Sequence, residues 1–120
     1  MTASSLAGMN ILIVEDEFFQ ARDMTSAVER EGGRVIGPTG RESDVPFLLA
    51  NEQVDAALLD INLGAGPSFS TARLLSREGI PFAFLTGYDA GVIPPEHAAV
   101  PRMLKPANET SVISMLKALL

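Results

Sequence analysis

Five short apolar runs, Asn10–Val14, Arg34–Ile36, Ala56–Leu59, Phe82–Leu85 and Arg102–Leu104, punctuate the chain, with stretches long enough for a helix between them. All five read as buried strands, with apolar residues continuous rather than alternating, the pattern of strands covered on both faces. Such strands, separated by helix-length segments, form a parallel sheet covered on both sides, so the expected fold is a doubly wound α/β domain. A helix is predicted over Phe18–Glu31, with Phe18, Ala21, Met24 and Val28 at spacings of three and four, stopped by Gly32-Gly33. Further helices are expected over Glu42–Asn51, over Ser68–Arg77 with Gly79 following, and from an Asn108 N-cap to Leu120. Between Asp89 and Pro101, Gly91, Pro94, Pro95 and Pro101 permit only a short or distorted helix, and His97 within it is expected at the surface. Leu104 and Leu116 are expected in the core.

With 47% hydrophobic residues in 120, one core can form without help from disulfides or metals. The first eight residues, MTASSLAG, read as a disordered leader, and residues 9–120 as one domain. The absence of cysteine excludes thiol catalysis and Cys-based zinc sites, and the single histidine excludes a His-rich metal centre. A net charge of -6, with two lysines and seven arginines, argues against a nucleic-acid or anionic-membrane partner. The longest uncharged run, Met1–Val14, is too short to span a bilayer and has no basic start, so a soluble, cytoplasmic protein is expected.

Chemistry collects where the strands end. Glu15, Asp16 and Glu17 follow the first strand, Asp60 the third, Thr86 the fourth, and Lys105-Pro106 the fifth. In open parallel sheets the ligand crevice lies beyond these carboxyl ends. Clustered carboxylates repel one another and invite a hard cation such as Mg²⁺, and their repulsion is expected to raise at least one carboxyl pKa. Asp60 is then placed to act as nucleophile toward a phosphoryl group, with Thr86 and Lys105 stabilising its oxygens.

In this order the motifs VEDE, LLDINL, FLTGY and LKP resemble the receiver domain of two-component response regulators, the CheY-like superfamily, over Met9–Leu120. The resemblance implies a flavodoxin-like (βα)5 fold with strand order 2-1-3-4-5. It implies that Asp60 is the phosphoacceptor and that Mg²⁺ is held by Asp16, by Glu15 through water, by Asp60 and by the backbone carbonyl of Asn62. Thr86 would be the switch hydroxyl, and Lys105 would precede a cis Pro106. The partners implied are a histidine kinase or phosphotransfer protein upstream and a downstream protein. That protein would dock on the face built by the fourth crossover segment, the fifth strand and the last helix.

Members with an aromatic rotamer switch carry Tyr or Phe three residues before the lysine; here that residue is Arg102. The stretch Phe84–Tyr88 is instead similar to a single-domain subgroup with a Phe-x-Thr-Gly-x-Tyr-like signature (FATGUY-like), often paired with HWE or HisKA2 kinases. In this chain Tyr88 directly follows Gly87. Two other readings remain. A haloacid-dehalogenase-type phosphatase also uses an aspartate after a parallel strand, but it needs an acid two residues on, where this chain has Asn62. A pseudo-receiver, acting without phosphorylation, would be indifferent to Mg²⁺.

Overall fold

The computed structural model describes residues 6–61, 68–87 and 92–120. Its strands are β1 (Asn10–Val14), β2 (Arg34–Thr39), β3 (Ala56–Asp60), β4 (Phe82–Thr86) and β5 (Arg102–Leu104). All pair in parallel, in the order β2-β1-β3-β4-β5, which is the expected flavodoxin-like order. The helices are α1 (Phe18–Arg30), α2 (Val45–Asn51), α3 (Ser70–Glu78) and α4 (Glu109–Leu119). Among the described residues no helix is long and apolar enough to cross a membrane.

The continuous apolar runs have the predicted cause. On β1, Ile11 and Ile13 point to one side and pack with Met24 and Val28 of α1 and Leu116 of α4. Leu12 and Val14 point to the other and pack with Val45 of α2 and Ala72 and Leu75 of α3. Each strand residue therefore meets a helix on whichever face it takes.

Several expectations need correction. Phe18 is 69% exposed: it opens α1 beyond the sheet and sets its ring edge-on to Phe19, so the buried stripe is Ala21, Met24, Ala27 and Val28. Leu6, assigned to the leader, is fully buried against the α1-side core and its N–H donates to the Glu31 carbonyl (2.9 Å). Leu104 is 63% exposed because β5 is an edge strand. In the β4–β5 crossover the short or distorted helix expected takes the form, among the described residues, of a 3-10 turn at Pro95–His97. That turn aims His97 inward, where it lies 3% exposed among the rings of Phe69, Phe82 and Phe84, with centroids 5.9, 6.1 and 5.9 Å away. His97 thus supplies the apolar contact that the proline-rich segment cannot supply as a helix.

The predicted second helix starts as a 3-10 turn, Glu42–Asp44, and this turn has a long-range task. The N-cap residue of α3, Phe69, makes no side-chain cap. The Glu42 carboxylate replaces it, accepting from Ser70 Oγ (2.8 Å), Thr71 N (3.2 Å) and Thr71 Oγ1 (3.0 Å). Burial alone would raise the Glu42 pKa, but hydrogen bonds from Ser68, Ser70 and Thr71 outweigh it and hold the carboxyl below its ordinary 4.5. Stability from this cap is therefore present above pH 4.5 and lost as pH falls through the lower native value. Glu42→Ala is expected to lower stability by about 1 kcal/mol at neutral pH. The gap to wild type should close in acid, and urea melts at both pH values provide the check.

Candidate functional site

Parallel pairing brings the ends of β1, β3, β4 and β5 to one edge. Register places Val14 beside Leu59, Asp60 beside Leu85 and Thr86 beside Leu104, so the residues that end these strands converge. Glu15, Asp60 and Thr86 are buried at 2%, 4% and 0% exposure, and Asp16 stands at the open side. Lys105 reaches back from the end of β5, where its N–H donates to the Thr86 carbonyl (2.9 Å) and a cis peptide leads to Pro106.

The lysine organises the centre. Its Nζ lies 2.6 Å from Asp60 Oδ2 and 2.9 Å from Glu15 Oε1, bridging two buried carboxylates. Burial raises the Glu15 pKa, and neighbouring Asp60 adds to the rise, against the lowering effects of Lys105 and the Glu17 N–H. The expected upward shift of a carboxyl therefore occurs, although burial is a larger cause than repulsion. Burial would depress the Lys105 pKa, but its bonds to Asp60 and Glu15 prevail and raise it.

Glu15, Asp16 and Asp60 each offer an oxygen within 4.8 Å of the others. Three hard oxygen donors against one ammonium leave negative charge uncompensated, which suits a divalent cation of the Mg²⁺ type. Glu17 belongs elsewhere: its carboxylate accepts from Phe19 N (3.1 Å) and Gln20 N (2.9 Å), capping α1. Its own N–H donates to Glu15 Oε2 (3.0 Å), which fixes the neighbouring acid. Arg102 opens β5 with an exposed side chain. Asn62 and Tyr88 lie outside the described residues. One border of the site carries no chemical signal in its residue types: the Glu15 N–H donates to the Thr39 carbonyl (2.8 Å), so the end of β2 adjoins the acidic pair.

A doubly wound domain with buried acids and a lysine at its strand ends is a recognisable class, and solved structures match it. SdrG from Sphingomonas melonis Fr1 is 31% identical, covering 97% of this chain and 98% of that one, with a TM-score of 0.80. The response regulatory domain of MrkE from Klebsiella pneumoniae is 26% identical, with coverages of 92% and 94% and a TM-score of 0.78. The response regulator PhyR from Brucella abortus is 26% identical with a TM-score of 0.80; 98% of this chain matches half (50%) of that one. No protein-family model and no curated protein sequence matches the chain. The chain belongs to the receiver domains of response regulators.

Proposed function

We propose that residues 9–120 act as a phosphorylation-driven signalling module, with Asp60 as phosphoacceptor. The observation that carries this reading is the Lys105 ammonium bridging Asp60 and Glu15, with Asp16 completing a three-carboxylate cluster. An Asp60 oxygen attacks the phosphorus of a phosphohistidine on a kinase or phosphotransfer protein, or of a small acyl phosphate. The new P–O bond forms as the donor's P–N or P–O bond breaks, and the donor departs with the electron pair. Asp16, Asp60 and the Asn62 carbonyl would hold Mg²⁺ directly, and Glu15 through water; the cation supplies charge neutralisation for the transferring phosphoryl group. Lys105 and the Thr86 hydroxyl then bind phosphoryl oxygens.

The product is a changed surface, read by a downstream protein. With Arg102 at the position of the usual aromatic, the readout is assigned to the loop after Thr86, including Tyr88, rather than to β5. The upstream partner is a kinase, of the HWE or HisKA2 type if the subgroup likeness extends to pairing. SdrG has been solved in a BeF3-activated conformation (29% identity, full coverage of both chains), which supports transfer of this chemistry to a similar scaffold. Acetyl phosphate with Mg²⁺ is expected to add one phosphoryl group by intact mass, and EDTA to prevent it. Equal labelling in EDTA, or none with Mg²⁺, would overturn the reading.

A further inference from the structure

We propose that Gly40 is a positioning residue for Asp16, and that the end of β2 is the wall setting this carboxylate at the mouth of the site. The inference rests on the acidic cluster holding a divalent cation, as argued above.

Its basis is a local change of register. Leu12 pairs with Ile36, but Val14 pairs with Thr39, so β2 advances three residues while β1 advances two. The additional residue is accommodated at Gly37-Pro38, where Gly37 takes φ +92°. A Cβ at Gly37 would come within 2.9 Å of Thr39 N, so this bulge is closed to other residues. Its consequence lies two residues on. The bulge carries Thr39 level with Val14 and brings its carbonyl to the Glu15 N–H, and the next residue lands against Asp16.

At that point the fit is tight. A Cβ on Gly40 would stand 2.9 Å from Asp16 Cβ and 3.0 Å from Asp16 Cα, closer than atoms of these types approach. Gly40 has no positive φ, so glycine is required here by proximity and not by backbone conformation. The wall is braced from behind. Thr39 Oγ1 donates to Asp44 Oδ2 (2.7 Å) and accepts from the Arg41 N–H (3.1 Å), tying the corner to the start of the next helix. Among the described residues the Asp16 carboxylate has no hydrogen bond of its own, so its placement depends on backbone and on what stands behind it. A methyl group at Gly40 must therefore displace Asp16 relative to Glu15 and Asp60.

Mg²⁺ titration by calorimetry tests this on the whole chain. Gly40→Ala is expected to weaken Mg²⁺ binding about tenfold or more, the effect of disturbing a support behind a ligand. Gly79→Ala is the contrasting variant: Gly79 has φ +72° with open space around it, so it should melt lower and bind Mg²⁺ as wild type does. Asp44→Ala cuts the brace without adding bulk and should weaken binding severalfold, whereas Asp44→Asn removes the same charge but keeps an acceptor and should not. If Gly40→Ala fails to fold, the Asp44 pair decides. Wild-type binding with Gly40→Ala and Asp44→Ala both within twofold of it would overturn the inference alone. A wild type that binds no Mg²⁺ would overturn the cation site and the inference together.

Discussion

Asp60→Ala is expected to take up no phosphoryl group from acetyl phosphate under conditions that label wild type fully, a rate loss on the order of a thousandfold or more. The physical reason is position. Asp60 ends a central strand, is 4% exposed and has an ammonium 2.6 Å from its oxygen. Asp16 stands at the open side and Glu15 is held by the Glu17 N–H as well as by Lys105. Glu42→Ala, altered outside the cluster, should label normally and so controls for loss of stability. Labelling of Asp60→Ala at the wild-type rate would move the acceptor to another residue.

The second large effect is expected from Lys105→Met. This change keeps most of the aliphatic stem and removes the charge between Asp60 and Glu15, leaving two buried carboxylates facing each other without a counterion. Breaking such a bridge should cost about 2–4 kcal/mol in EDTA at neutral pH, a fall in melting temperature on the order of 10 °C for a domain of this size. Glu15 already has a raised pKa with the lysine present, and Lys105 is among the influences lowering it, so removal raises it further. A raised native pKa means that the native chain binds protons more readily than the unfolded one. The deficit should then be small below the ordinary carboxylate range and grow as pH rises through it. Mg²⁺ should restore part of the loss, because it binds the assembled cluster and not the dispersed chain. Melting scans in EDTA and in Mg²⁺ measure both effects. Equal melting of variant and wild type in EDTA would show that the bridge carries no stability.

Central strands and site were legible in sequence for the same reason: β1 after Asn10, and β3 and β4 from their first residues, are apolar until each meets a residue with chemistry. Asp60 and Thr86 stand out because each closes a strand buried along its whole length, and Lys105 because it stands between an apolar pair and Pro106. The failures came where residue type and environment diverge. Phe18 and Leu104 look like core but fall where a helix begins or a sheet ends, and no second layer reaches them. His97 looks like surface, yet three aromatic rings accept it. Glu17 and Glu42 could not be told from site acids by type; only the direction of nearby helix N–H groups assigns them to capping. The contact between Gly40 and Asp16 depends on a one-residue bulge that leaves no trace in hydropathy.

The ring-lined seat of His97 has a consequence for how firmly the β4–β5 crossover is held down. An all-carbon side chain there would anchor the segment as a wedge. The imidazole fills the same space, but its Nε2 finds no hydrogen-bond partner among the described residues. Forgoing water at that nitrogen subtracts on the order of 1–3 kcal/mol from what the ring contacts contribute. His97 therefore holds its turn less firmly than its burial suggests. Phe69, the residue before α3, forms one wall of the seat, so the crossover and the start of α3 share this contact.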